Sequence, residues 1–272
     1  MTAASDRSGR HSLSRRGLRG RRALRRFLYS QLAMRSAVMI ALGREEPLVR
    51  FTVEADPPSV YLVFRIRESE RERLQADLAL PPGFALAPLR CLRDDDPEFL
   101  LTLNVYRVSG ITNGMRAEWS VYVDDGSGHP RYLVVDARSS TRSMDPVDVL
   151  TAPSRVDHER IGDRVSMTIG PDAEAFRADI PVPADAPRAV TAPEWATAND
   201  RIYWRNGVCD RTFYDAGLAD ADQVEVAGAE VALHDDSAWA GYVDATPVRV
   251  LVYRQAIEFV VSPWANLREL EA

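Results

Sequence analysis

Beyond Pro47 the chain runs in short apolar or alternating blocks, several of them closed by Pro, Gly, Asn or Asp. Blocks at 48–54 and 59–67 are rich in Val, Leu, Tyr and Phe and flank the breaker Asp56-Pro57-Pro58, so both predict strands. Residues 68–78 carry Glu and Arg at helical spacing and predict a short, solvated helix, stopped at Leu80-Pro81-Pro82-Gly83-Phe84. Period-two runs follow at 98–109 and 115–124, joined through Asn113-Gly114. A third, at 131–138, follows Asp125-Gly126-Ser127-Gly128. Long strands joined by short Gly-containing turns predict hairpins. Further strands are expected at 164–169, 175–180, 201–205, 224–233 and 248–261, the last long and β-branched. Residues 181–193 are Pro-rich and read as a surface connection. No internal repeat is visible. Many strands with one or two helices predict a mainly β chain, α+β in detail, built as a barrel or a sandwich.

The first 46 residues break this pattern. Residues 1–20 are rich in Ser, Gly and Arg and are expected to be disordered. From 21 to 42, Leu24, Phe27, Leu28, Leu32, Met39 and Leu42 recur at helical spacing, with Arg21, Arg22, Arg25 and Arg26 mostly off the stripe. This predicts a basic amphipathic helix over 21–46, ahead of one β domain at 47–272. Three uses of the helix stay open. It can pack on the body. It can lie on an anionic membrane surface through residues 21–42. It can be a twin-arginine export signal, since Arg25-Arg26-Phe27-Leu28 precedes an apolar stretch, although Arg35 interrupts that stretch. The expected location is cytoplasmic, with peripheral membrane association as a variant and export less favoured. No run of 18 uncharged apolar residues exists to form a transmembrane helix.

Charge sharpens the division. The first 35 residues hold ten arginines against one acid, for +9, and the remainder carries −15. Such a basic arm on an acidic body meets either its own body or an anionic partner. Hydrophobic and charged contents of 46% and 27% are ordinary for a globular chain. All 34 basic side chains are arginine and none is lysine. A guanidinium stays protonated, so it forms no Schiff base with a carbonyl and serves as no general base. Cys91 and Cys209 are too few for a disulfide framework, sit in no CxxC motif and are read as reduced.

Three short stretches carry a resemblance. The first is Tyr61-Leu62-Val63-Phe64-Arg65, a helix, and Leu80-Pro81-Pro82-Gly83-Phe84. The second is Asn113-Gly114-Met115-Arg116-Ala117-Glu118-Trp119 through Tyr122-Val123-Asp124-Asp125. The third is Ala238-Trp239-Ala240-Gly241. Together, over roughly residues 48–262, they resemble acetoacetate decarboxylase-like proteins. The resemblance implies a single large, closed, cone-shaped β-barrel. It also implies a catalytic lysine in a Pro-Lys segment about one strand beyond the "YVDD" motif. Here that stretch is Asp136-Ala137-Arg138-Ser139-Ser140-Thr141-Arg142, without lysine, and the positions for the family's acidic partner in the preceding strand hold Asn104 and Tyr106. The resemblance therefore implies a diverged member that cannot form the family's Schiff base.

Candidate chemistry comes from period two. In 115–124, Arg116, Glu118, Ser120, Tyr122 and Asp124 share one face, and Met115, Ala117, Trp119, Val121 and Val123 the other. Thr102, Asn104 and Tyr106 share a face of the preceding strand. Tyr132, Val134, Asp136 and Arg138 share a face of the following one. If the polar faces point inward, Glu118 and Tyr122 are the expected acid/base pair. Asn104, Tyr106, Arg116, Asp136 and Arg138 would then bind the ligand, a carboxylate lying on Arg138. If they point outward they form an ordinary solvated surface, and the pattern alone does not choose. The four histidines show no metal-binding spacing. His234-Asp235-Asp236 and Asp94-Asp95-Asp96 read as charged loops. No nucleophile elbow, phosphate loop or dinucleotide motif is present. No cofactor, metal or specific nucleic acid is expected.

The expected function is binding of a small organic acid or lipid-like molecule, with lyase- or hydrolase-type chemistry that uses no Schiff base. The alternative is a non-catalytic interaction protein docked through its basic helix. A homo-oligomer is expected in either case.

Overall fold

The computed structural model describes residues 49–80, 83–91, 96–110, 113–128, 130–141, 154–170, 176–182, 202–204, 214–215, 222–234 and 237–261, with isolated positions 31, 38, 42 and 184. The expected tail, and nearly all of the expected basic helix, lie outside the described residues.

Three long strands make the centre: β4 (Leu100–Gly110), β5 (Gly114–Asp124) and β6 (Arg131–Ser139). They form an antiparallel meander, β4 pairing with β5 and β5 with β6. The far edge of β4 is shared by two strands. β2 (Ser59–Arg65) pairs with its first half, Val60 opposite Val105, and β1 (Val49–Val53) with its last residues, Val53 opposite Val108. The sheet therefore forks. One arm continues from β2 to β14 (Arg249–Tyr253) and β12 (Gln223–Glu225). The other continues from β1 to β15 (Ile257–Val261) and β11 (Tyr214–Asp215). The short β3 (Ala85–Leu86) pairs with the end of β5, and β10 (Ile202–Trp204) runs parallel to β6. These eleven strands are one sheet. A second, antiparallel sheet has the order β13-β9-β8-β7, from β13 (Glu230–Leu233), β9 (Phe176–Pro181), β8 (Arg164–Ile169) and β7 (Val156–Ile161). Among the described residues the strand path stays open, so the expected closed barrel is corrected to a forked sheet with a smaller sheet packed on it.

Two expected strands divide. Residues 248–261 form β14 and β15, on different arms of the fork. Residues 224–233 form β12 and β13, in different sheets, broken near Gly228 at φ +72°. β7, with its polar Asp157, Glu159 and Arg160, was not legible as a strand.

The apolar residues of β5 explain the layering. Ala117, Trp119, Val121 and Val123 join Leu101, Leu103, Val60, Leu62 and Phe64 on one face, which packs on Val165, Met167, Phe176 and Ile180 of the second sheet. Trp119 is the hub, 5.9 Å from Phe64, 6.1 Å edge-on from Phe176 and 6.1 Å from Trp239. Such aromatic pairs add about 0.5–1.5 kcal/mol each beyond the area they bury. A 3-10 turn (Glu68–Glu70) and helix α1 (Arg71–Asp77) lie where the Glu/Arg spacing predicts. Leu74 is the helix's buried residue, and Arg67 and Arg73 donate to the Gly241 carbonyl.

Candidate functional site

The opposite face of the main sheet is also buried, and it is polar. Register places Asn104 opposite Glu118, Thr102 opposite Ser120 and Tyr106 opposite Arg116 across β4 and β5. Tyr61 of β2 pairs with Asn104, and Ser59 faces Tyr253 of β14. On the other side of β5, Tyr122 faces Tyr132 and Ser120 faces Val134. Tyr61, Tyr106, Tyr122, Tyr132 and Tyr253 form a second core with Val63, Leu100, Val134, Leu251 and Cys91. Glu118 is 8% exposed, Asn104 5% and Tyr122 1%. These side chains are thus not the solvated face that period two also allowed.

Burial makes each polar atom need a partner. The Tyr106 hydroxyl donates to Glu118 Oε1 at 2.7 Å, a bond strengthened by the carboxylate charge. Ser59 Oγ donates to Asn104 Oδ1 at 3.1 Å. Thr102 Oγ1 donates to the Ser120 carbonyl at a long 3.5 Å. Among the described residues Ser120 Oγ and Tyr122 Oη, both fully enclosed, make no hydrogen bond of good geometry, although Ser120 lies close enough to the Tyr132 hydroxyl to favour its ionised form slightly. Thr102 lies near enough to the Tyr122 hydroxyl to favour its ionised form slightly, but not in bonding geometry. Burial, and next the neighbouring Tyr132, push the Tyr122 pKa well above a phenol's ordinary value. Burial, then the Glu118 charge, push Tyr132 up as well. Both phenols stay neutral at working pH and act as donors.

Asp136 and Arg138 require a correction. A β-bulge between Trp119 and Ser120 puts Val134 opposite Ser120 and Asp136 opposite Trp119, so one residue of β6 is extra. Beyond it, Arg138 pairs with Ala117, and Ala137 takes the place opposite Glu118. Asp136 and Arg138 therefore lie on the Trp119 face, ion-paired with each other, and not beside Glu118. The cationic side chain that stays in the Glu118 row is Arg116, 7% exposed. Ser59, Tyr61, Thr102, Ser120, Tyr132 and Tyr253 belong to the polar face although they stood outside the expected site. The alternation of Ser59, Tyr61 and Val63 was the readable signal for β2, but its face became known only through pairing with β4.

His158 stands elsewhere, on β7, 1% exposed, with Nε2 2.9 Å from the Pro58 carbonyl. Trp239 belongs to the apolar core. His11, His129 and Cys209 lie outside the described residues. Among the described residues no three His, Cys, Asp or Glu side chains gather to hold a metal ion. No helix there is long and apolar enough to cross a membrane.

No protein-family model matches the chain, and no curated protein matches it. Among solved structures, an acetoacetate decarboxylase-like enzyme from Sphingomonas wittichii RW1 is similar. Identity is 10% and the TM-score 0.46, with 80% of this chain and 91% of that one covered.

Proposed function

We propose that the buried polar face of the main sheet binds a small organic acid or a similar oxygen-bearing, lipid-like molecule, with Glu118 as its acid/base group. The observation that carries this reading is the pair of enclosed hydroxyls, Ser120 Oγ and Tyr122 Oη, without a well-formed hydrogen bond among the described residues, beside a hydrogen-bonded carboxylate. Leaving a buried hydroxyl unsatisfied costs about 1–3 kcal/mol, so native proteins seldom do so without a guest or a functional reason. In this reading Tyr106 fixes the Glu118 carboxylate, Tyr122 and Ser120 donate to the ligand, and Arg116 offers the cation for an acid group. No cofactor or metal is part of it. With no lysine in the sequence, borohydride traps no lysine adduct with any carbonyl ligand.

The test is titration with acetate, 2-oxobutanoate and hexanoate, followed by calorimetry or ligand-observed NMR. Glu118→Gln and Tyr106→Phe are each expected to change the affinity for whichever acid binds by about tenfold or more, an energy of about 1.4 kcal/mol. Arg138→Ala, on the opposite face, is expected to bind as the wild type does. Loss of binding in Arg138→Ala, with wild-type affinity in the other two, would move the site to the Trp119 face.

A further inference from the structure

The smaller sheet ends in two edge strands, β13 and β7, and among the described residues neither pairs on its outer side. Backbone direction alternates along a strand, so each ladder fixes the next. The Val182 N–H donates to the Asp163 carbonyl at 2.6 Å, which continues the β8–β9 register past Arg164 and Pro181. Even-numbered residues of β9 therefore bond toward β8, and Arg177 and Asp179 bond toward β13. Their partners there are Ala232 and Glu230. The N–H and C=O groups of Val231 and Leu233 are left on the outer side, a short template for one more strand.

The two edges differ in what they accept. An antiparallel copy of β7 brought up by a two-fold axis puts like charges directly opposite in each register centred on residues 157–160. Asp157 meets Asp157, Asp157 meets Glu159, Glu159 meets Glu159 or Arg160 meets Arg160, and such pairs are destabilising. β13 has one charged side chain, Glu230, 83% exposed, no proline and no bulge in its register with β9. The ion-pair partner of Glu230 in its own chain, Arg164, is held mainly by Asp179, at 2.8 Å against 3.8 Å. Centred on Ala232, a copy places Ala232 on Ala232, Val231 on Leu233 and Glu230 on the exposed His234. No like charges meet. Val231 and Leu233, already packed in part against the apolar core, extend their row across the axis, and the outward N–H and C=O groups of both fall in hydrogen-bonded pairs.

We propose that the outer edge of β13 is a dimerisation surface, and that its partner is β13 of a second copy of this chain, antiparallel and centred on Ala232. Two four-stranded sheets then become one continuous sheet across a two-fold axis. Backbone bonds at Val231 and Leu233 supply the attraction, and Glu230 against the partner's His234 sets the register. The contact is short, so the dimer is a weak one that forms and breaks with concentration. This pairing is independent of what the polar face of the main sheet binds.

Sedimentation velocity on the full chain, over about 1–100 μM, is expected to show a monomer–dimer equilibrium. Ala232→Glu sets two carboxylates face to face on the axis, while each lies opposite Arg177 within its own sheet. It is expected to raise the dimer dissociation constant about 100-fold and to melt no lower than wild type. Register is read by Ala232→Cys in a Cys209→Ser background. Directly opposed residues of a non-hydrogen-bonded antiparallel pair lie about 4.5 Å apart at Cα, within the span of about 4.4–6.8 Å that a disulfide bridges. Mild oxidation is expected to give a covalent dimer, whereas Glu159→Cys on the β7 edge, in the same background, is expected to give none. A wild-type chain that stays monomeric throughout, a dimer that Ala232→Glu leaves intact, or cross-linking from Glu159→Cys and not from Ala232→Cys, would overturn the pairing.

Discussion

His158 shows how one buried side chain sets a response of the whole protein. Burial lowers its pKa from 6.5 to about 4, opposed in part by the bond to the Pro58 carbonyl. The unfolded chain therefore takes up a proton near pH 6.5, while the folded chain refuses it until about pH 4. The contribution to stability is complete above pH 6.5 and is lost as pH falls toward 4, by about 3 kcal/mol. Urea unfolding at pH 8, 6 and 5 checks this. The stability difference between wild type and His158→Gln is expected to shrink as pH falls, and a difference constant with pH would show that the imidazole titrates normally. The residues of the polar face obey the same physics in reverse. Glu118 remains buried because Tyr106 donates to it, whereas Ser120 and Tyr122 are buried without such support. A residue's type was legible in the sequence. Its partner was not, because partners such as Ser59 and Asn104 lie 45 positions apart.

At the scale of elements, β5 carries most of what matters, and its start is held by a close approach. Gly114 has φ +140°, and a Cβ added there would collide with the Thr141 side chain and crowd Ser140. Both residues belong to that seal: Ser140 Oγ accepts from the Met115 N–H at 2.9 Å, and Thr141 Oγ1 donates to the Asn113 carbonyl. Gly114→Ala is expected to cost about 1–3 kcal/mol in urea unfolding, and a neutral result would show that this end of the hairpin is loose. The Asn113-Gly114 turn and the long alternating runs beside it were readable, because turn chemistry and period two are local. The bulge of β6 was not. It inserts one residue into a run of uniform apolar character, Leu133-Val134-Val135, and one extra residue sends every later side chain to the other face. That is why Asp136 and Arg138 were expected beside Glu118 and stand behind it. The division of 248–261 has a similar cause: Gln255 and Ala256 mark no turn by composition, yet β14 and β15 join different arms of the fork.

At the scale of the molecule, the aromatic hub joins the two sheets through Trp119 and Phe176, and the two are expected to unfold together. Phe176 is 1% exposed and meets Trp119 edge-on. Phe176→Ala is expected to cost about 3–5 kcal/mol. Far-ultraviolet circular dichroism and tryptophan fluorescence should report the same lowered transition. Separate transitions would show that the sheets unfold independently. The same layering explains the limits of the sequence. Both faces of β5 are buried, one against the second sheet and one within the tyrosine-lined core. A strand enclosed on both sides offers no solvent contrast from which to read its inward face. By itself the sequence determined a mainly β body, a short Glu/Arg helix, a central hairpin, and the exclusion of lysine chemistry, since each depends on local pattern or on residue inventory. The tertiary structure alone decided that the Glu118 face is enclosed, that Arg138 lies on the opposite face from it, and that the strand path forks among the described residues instead of closing. Those outcomes are set by pairing between distant segments and by one inserted residue, and no local period encodes them.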